Sequence, residues 1–159
     1  MIINNLEFAQ KQQKLDDQFA ITTLKRLAQT LSLESHNASQ NSIYFELVGE
    51  TERFRQPSLR LRIKTNLPVI CQRCLDQMLI PMDLNLQYLI SDVAIESLDD
   101  SDDIDWVEAD KEMDLYKLIE DELLLAMPIA PTHENNCAKV SMQSGEKPNP
   151  FAVLQGKFK

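Results

Sequence analysis

The feature that most constrains the fold of this chain is the stretch SLRLRIKT at residues 58–65, in which apolar and basic side chains alternate. Successive side chains of a β-strand point to opposite faces, so Leu59, Leu61 and Ile63 share one side of an extended backbone. Alternation of this kind is typical of an antiparallel sheet with one face on the core and the other in water. The chain therefore has to build a sheet and something to cover it.

Two further stretches have the character of strands. Residues 43–49, IYFELVG, are rich in β-branched and aromatic residues. Residues 82–90, MDLNLQYLI, alternate again after Pro81, and the side chains predicted to face inward are Leu84, Leu86, Tyr88 and Ile90. DWVEA, beginning at residue 105, has the composition of a further short strand.

Helices are predicted outside this series of strands. Apolar residues recur at helical spacing over residues 21–33, and Asp114 is a good N-cap for a helix over 115–127 that Pro128 ends. Asn149 and Pro150 can start a short last helix. Strands in series with helices outside the series predict an α+β fold, an antiparallel β-sheet with a few packed helices.

The length and composition predict a single domain over residues 1–159, since 159 residues with 43% hydrophobic content suit one core. We divide it into a helical N-terminal segment (1–40), a sheet and helix core (41–127) and an irregular C-terminal segment (128–159). No apolar run approaches the ~18 residues of a membrane helix. The N-terminal residues lack the pattern of a secretion signal, and the three cysteines are an odd number, so we expect a cytoplasmic protein.

The formal net charge of -9 is unevenly distributed. Residues 92–114, here called the acidic belt, contain eleven acids and one base and sum to -10, whereas the rest of the chain sums to +1. Residues 91–105, which include the first part of the belt, are expected to form a solvated loop. A belt of this charge is a candidate docking surface for a basic protein.

Five bases and no acid lie between residues 53 and 64, and we call them the basic strip: Arg53, Arg55, Arg60, Arg62 and Lys64. Bases at every second residue of a strand are ~6.6–6.8 Å apart, which suits successive phosphates of a nucleic-acid strand. Phe54 adds a surface for base stacking. The strip is a candidate RNA-binding site. The alternative is an ordinary solvated sheet face, neutralised by the acidic belt.

The three cysteines and one of the two histidines fall into two pairs, CQRC at 71–74 and HENNC at 133–137. Thiolate and imidazole ligands suit zinc, and four of them complete a structural site, so Cys71, Cys74, His133 and Cys137 are candidate metal ligands. The 58 residues between Cys74 and His133 are the weak point of this hypothesis. The cysteines can also be read as small buried hydrophobes or as a redox pair.

Glu122 is the one acid that a helical projection of residues 115–127 places on the apolar face, while Glu120 and Asp121 project towards solvent. A carboxylate there is costly unless it is paired. Glu122 is expected to be buried and bound to an arginine or to backbone donors. The alternative is a general acid or base with a raised pKa.

Three motifs occur together in a set order: CQRCL (71–75), EDELLLAMPIAPTH (120–133) with Cys137, and KPNPFAVL (147–154). In this combination the chain resembles the YceD family of bacterial and plastid proteins over about residues 40–159. The resemblance implies a role in the accumulation of large-subunit ribosomal RNA and hence in ribosome assembly. The bacterial gene of the family commonly neighbours that of a large-subunit ribosomal protein. No catalytic residue or metal is carried over, and the basic strip lies outside the matching motifs.

We therefore expect a non-enzymatic ribosome-biogenesis factor that binds large-subunit ribosomal RNA, a basic ribosomal protein, or both. No membrane and no small-molecule substrate is expected. Two alternatives remain. One is an RNA-processing hydrolase that uses Glu122 with a second acid, usually with magnesium. The other is a chaperone for a basic ribosomal protein docked on the acidic belt.

Overall fold

The computed structural model describes residues 1–31, 41–51, 56–91, 105–135 and 137. Their elements follow in chain order: β1 (Ile2–Ile3), α1 (Asn5–Gln10), β2 (Lys14–Ala20), a 3-10 turn (Ile21–Thr23), α2 (Lys25–Thr30), β3 (Ser42–Glu50), β4 (Ser58–Ile70), β5 (Gln77–Ser91), β6 (Asp105–Glu108), β7 (Met113–Asp114) and α3 (Leu115–Ala126). Strands β2 to β6 form one sheet in that spatial order, and β1 pairs with β7. The α+β prediction is confirmed.

The sheet is antiparallel from β2 to β5, and β6 runs parallel to β5. A parallel neighbour needs a crossover of a dozen or more residues, which the chain between β5 and β6 provides. On β4, Leu59, Leu61 and Ile63 have no exposed surface, as the alternation predicts. The three helices cover this inner face. Each contributes an apolar side chain to the core, namely Phe8 of α1, Leu27 of α2 and Ile119 of α3.

Helix α1 is attached closely to the sheet. A Cβ atom at Gly49 of β3 would lie 2.5 Å from the Phe8 carbonyl oxygen, so only glycine permits this approach. Asn5 is fully buried, and its side-chain amide donates to the Glu108 carbonyl and accepts from the Asp110 N–H. These contacts connect the start of the chain to the end of β6.

Strands β4 and β5 are longer than the sequence predicts and continue beyond the rest of the sheet. Strand β3 pairs with β4 only as far as Lys64, whereas β4 and β5 stay paired to Ile70 and Gln77. We call the two-stranded extension, residues 65–70 and 77–82, the ribbon. Proline cannot donate to a strand ladder and is confined to open edges. This explains why Pro68 and Pro81 are accommodated there, and the prediction that Pro81 starts β5 is wrong.

The N-terminal segment is not wholly helical, because β2 is one of its main elements. As an edge strand, β2 buries little of its side chains, so its sequence KLDDQFA carries no clear alternation. The helix predicted over 21–33 is a 3-10 turn followed by the six-residue α2, separated by Leu24 in an extended conformation. Ile21, Leu24 and Leu27 are buried as their spacing predicts. The last helix, predicted at Asn149, lies outside the described residues.

The buried carboxylate of α3 is Glu120 and not Glu122, which corrects the helical projection. Glu120 is 7% exposed. Its Oε1 accepts from the backbone N–H groups of Arg26 (2.7 Å) and Leu27 (3.1 Å), and its Oε2 accepts from Arg26 Nε (2.9 Å). The N-cap residue of α2, Leu24, has no side-chain acceptor. A carboxylate from α3 therefore satisfies the free N–H groups at the start of α2.

Glu122 is half-buried and accepts a hydrogen bond from the Tyr88 hydroxyl at 2.8 Å. Among the described residues, its partner is thus a phenol on β5 and not an arginine or a backbone donor. The pKa of Tyr88 is raised well above its ordinary value, mainly by burial and in second place by the hydrogen bond to Glu122. The pair connects α3 to the inner face of the sheet.

Removing the Glu120 carboxylate should destabilise the fold, because two backbone donors of α2 and the Arg26 guanidinium lose their acceptor. We expect Glu120→Ala to lower the free energy of unfolding in urea by about 2–4 kcal/mol. Asp121→Ala is the matched control, since Asp121 pairs with the same Arg26 at an exposed site and should cost at most about 1 kcal/mol. Equal losses for the two variants would contradict this role of Glu120.

Candidate functional site

The turn between β4 and β5 positions the CQRC motif. We call residues 71–76 the knuckle. The Cys71 N–H donates to the Asp76 carbonyl, and the Leu75 N–H donates to the Cys71 carbonyl, both at 2.9 Å. Leu75 has a φ of 63°, a left-handed conformation uncommon for a leucine. The reversal leaves Cys71 fully buried and Cys74 half-buried beside it.

The chain that follows α3 passes directly against the knuckle. The Gln72 N–H donates to the Pro131 carbonyl at 2.8 Å, and the Arg73 guanidinium donates to the Asn135 carbonyl at 3.1 Å. These two bonds hold His133, which lies between the two acceptors in the sequence, beside the cysteines. The side chain of Arg73 therefore binds the segment that follows α3.

All four candidate ligands meet at one point. The Sγ atoms of Cys71 and Cys137 are 3.6 Å apart, Cys74 Sγ lies 3.4 Å from His133 Nδ1, and the four ligand atoms lie within 4.8 Å of one another. Zinc–sulfur bonds of about 2.3 Å and zinc–nitrogen bonds of about 2.0–2.1 Å at a tetrahedral angle imply separations of about 3.7 Å between sulfurs and about 3.5 Å between sulfur and nitrogen. The cluster is consistent with a structural metal site.

The surroundings of the cluster shift the pKa values of Cys71 and Cys74 in opposite directions. Burial raises the pKa of Cys71, but hydrogen bonds from the backbone N–H groups of Cys74, Arg73 and His133 outweigh it and lower this pKa to about 5. The backbone hydrogen bond at Asp76 lowers the pKa of Cys74, but burial and the neighbouring Cys71 and Cys137 outweigh it and raise this pKa to about 11. Several thiolates in so small a space repel one another, which a divalent cation at their centre would relieve.

The basic strip lies where the alternation places it, on the face of β4 opposite the core, which we call the outer face. Arg60 and Arg62 are half-buried and Lys64 is exposed. Arg53 and Arg55 lie outside the described residues. Each of the three described bases is in an ion pair: Arg60 Nε with Glu50 at 2.9 Å, Arg62 Nε with Asp83 at 3.4 Å, and Lys64 Nζ with Asp83 at 3.1 Å.

Carboxylates of neighbouring strands balance these bases. The cross-strand register places four bases and four acids on the outer face of strands β2 to β5, namely Lys14, Arg60, Arg62, Lys64, Asp16, Glu46, Glu50 and Asp83. The acids come from the sheet itself and are not those of the acidic belt, of which residues 92–104 lie outside the described part. The basic strip is thus part of a mixed charged surface.

Two of the four bases on this face share one acid beside β5. One carboxylate, Asp83, serves both Arg62 and Lys64, so these three side chains together carry one net positive charge. The hydrogen bond from Arg62 is the main cause that lowers the pKa of Asp83, and the hydrogen bond from Lys64 is the second. Sequence reasoning missed Asp83, although its outward position in the alternating stretch MDLNLQYLI marks it as a cross-strand neighbour of these bases.

The chain matches the family described as "Large ribosomal RNA subunit accumulation protein YceD" over residues 59–156, a range that includes all four residues of the cluster. A curated relative, the large ribosomal RNA subunit accumulation protein YceD of Haemophilus influenzae, is 32% identical over 109 residues, with 58% of this chain and 60% of the relative covered. The chain thus spans about 60% of the length of that relative. No solved structure matches. Among the helices of the described residues, none is both long enough and apolar enough to cross a membrane.

If the cluster holds zinc, purified protein should carry about one zinc ion per chain, measured by elemental analysis. Cys71→Ser, Cys137→Ser and His133→Ala should each release the ion and lower the melting temperature, because each removes one of four ligands. His36→Ala, at the other histidine of the chain, should keep it. A fully folded parent protein that binds no added zinc would rule out the metal site.

Proposed function

This chain belongs to the YceD family, and we propose that it acts in the cytoplasm in the accumulation of large-subunit ribosomal RNA. The family and its Haemophilus relative are both described as large ribosomal RNA subunit accumulation proteins, which supports this role. We propose that the protein acts by binding, as an assembly factor and not as an enzyme. The mode of binding is inferred from the outer face of β4, where every second residue from Arg60 to Lys64 is a base.

In this proposal the four-residue cluster has a structural task. Zinc held by Cys71, Cys74, His133 and Cys137 would have no open coordination position, which is typical of structural sites and not of catalytic ones. The ion would join the knuckle to the segment after α3. Glu122, the acid that a hydrolase would use, is engaged by the Tyr88 hydroxyl, which favours a structural role for it as well.

The ion pairs of the outer face are compatible with RNA binding. Exposed pairs contribute only ~0–1 kcal/mol each, because water screens the charges and the long side chains lose freedom. Arg60 and Lys64 remain 43% and 46% exposed in their pairs. Phosphate groups can therefore exchange with the carboxylates, and the release of counterions from RNA adds a favourable term that the pairs lack.

A basic ribosomal protein is the second candidate partner. The observation in its favour is the described end of the acidic belt, where Asp105, Glu108, Asp110, Glu112 and Asp114 are all exposed. Such a partner would dock by charge complementarity, which increases association rate and selectivity more than affinity. The variants described next distinguish the two partners, because an RNA partner depends on the basic strip and a protein partner depends on the acidic belt.

Changing Arg60, Arg62 and Lys64 together to Ala should weaken binding to large-subunit RNA fragments. Each base neutralises a phosphate, with a contribution of ~0.7 to the slope of log affinity against log salt on single strands, so the slope should fall by about 2. Salt titrations monitored by fluorescence anisotropy measure this change. Leu59, Leu61 and Ile63 keep the inner face in the core, so the variant should stay folded.

The Asp83→Asn variant should have the opposite effect. It removes the carboxylate that competes with phosphate for both Arg62 and Lys64. RNA affinity should therefore rise severalfold and the salt slope should increase by up to ~1. Asp121→Asn is the matched control, because it removes one exposed carboxylate that is paired with an arginine elsewhere, and it should leave RNA binding unchanged.

If neither the triple variant nor Asp83→Asn alters RNA binding, the outer face is only a solvated surface. Partner choice then passes to the acidic belt. Neutralising Asp99, Asp100, Asp102 and Asp103 should in that case abolish capture of a basic ribosomal protein, measured by co-purification with and without nuclease. A lack of effect in all three variants would reject both binding modes.

A further inference from the structure

The outer face carries a groove that neither the metal cluster nor the basic strip explains. It lies where β2 ends, β3 begins and the ribbon leaves the sheet, and it has a volume of about 550 Å³. The side chains that matter for its chemistry are Gln18, Asn41, Tyr44, Lys64, Asn66 and Asp83. The groove is therefore lined by one aromatic ring, three amides and two charged groups.

Tyr44 is the central side chain of this groove. The register places it directly between Gln18 of β2 and Lys64 of β4, on the outer face. It is 38% exposed. Within the described ranges its ring has no aromatic neighbour, since the two ring contacts both involve Phe19 of the inner face. Tyr44 is thus a partly exposed ring on the wall of the groove.

The polar side chains around Tyr44 suit the edge of a nucleobase. Gln18, Asn41 and Asn66 each carry an amide that can both donate and accept hydrogen bonds. The Gln18 amide nitrogen donates to the Ser42 hydroxyl, which orients the side chain and leaves its carbonyl oxygen as an acceptor. These groups sit beside the ring, where the edge of a stacked base would lie.

The charge of the groove wall suits a phosphate. Arg62, Lys64 and Asp83 together carry one net positive charge, and Lys64 and Asp83 both line the groove. Because Asp83 pairs with Arg62 as well as with Lys64, the Lys64 ammonium group is only partly neutralised and can bind a phosphate. An apolar peptide would find few partners, because Met82 and Pro81 are the main apolar side chains beside the tyrosine.

We propose that this groove binds one unpaired nucleotide of RNA, with the base stacked on Tyr44 and the phosphate at Lys64. The inference rests on the proposed function and deepens it, because it names the form of RNA that is bound. A base can stack on a protein ring only when it is released from its own helix, so the site selects single-stranded segments.

The test measures binding of a fluorescein-labelled oligouridine RNA of ten nucleotides to the full chain by anisotropy. Stacking on one aromatic ring contributes ~1–3 kcal/mol, so Tyr44→Ala should weaken binding about 5- to 150-fold. Tyr44→Phe keeps the ring and should bind within about twofold of the parent. Ile70→Ala is the matched control, since Ile70 is 41% exposed on the same face but six residues along β4 from Lys64, and it should change nothing.

Crosslinking tests the contact between RNA and Tyr44 directly, and its result cannot be explained by the destabilisation of a variant. RNA that carries 5-iodouridine should, on irradiation, attach to the peptide containing Tyr44, identified by mass spectrometry. The parent protein is used, so no variant has to fold. Attachment only at other peptides would overturn the proposal.

The remaining outcomes separate this inference from the proposed function. If Tyr44→Ala binds RNA like the parent while the triple variant of the basic strip does not, the groove proposal is overturned and RNA binding stands. If the parent binds large-subunit RNA fragments but no single-stranded RNA, the groove proposal is overturned, and if it binds neither, RNA binding by the outer face is rejected as well. If uridine monophosphate alone binds as tightly as the oligonucleotide, the groove takes a free nucleotide, and the assignment to RNA is overturned.

Discussion

The antiparallel pairing of β4 with β5 is the constraint on which the rest of the structure depends. It runs without interruption from Ser58 opposite Leu89 to Ile70 opposite Gln77. A shift of one residue would turn Leu59 and its apolar neighbours to solvent and bury the bases, so the register is strongly determined. The same pairing extends the ribbon beyond the sheet and closes it with the knuckle. The positions of the core, the outer face and the two cysteines of the candidate metal site therefore all depend on this one ladder.

The second constraint is the position of α3, because the segment that follows this helix contains His133 and Cys137. Glu120 attaches α3 to α2, and Glu122 attaches it to Tyr88 of β5. The segment that leaves this helix then reaches the knuckle and brings His133 to Cys74. An ion at this point would close a loop of 58 residues between these two ligands. Metal binding is coupled to folding wherever the unfolded chain lacks the site.

The outer face shows how neighbouring strands modify what one strand presents. Taken alone, β4 is a row of cations, but Glu50 and Asp83 lie across the ladders from it and pair with all three described bases. In the proposed function, such a surface would select a polyanion that offers several phosphates at once and so displaces the carboxylates.

The sequence by itself determined the antiparallel sheet, the two faces of β4, the N-cap at Asp114 and the identity of the four candidate ligands, because alternation, capping and ligand chemistry are local properties. Only the tertiary structure decided that the ligands meet across 58 residues, since nothing in the spacing of CQRC and HENNC encodes the approach of α3 to the knuckle. It also decided that Glu120 is the buried acid. A helical projection identifies the side of a helix that faces the core, but it carries no information on the neighbouring helix. The free N–H groups of α2 need an acceptor that the sequence of α2 does not supply, and Glu120 provides it.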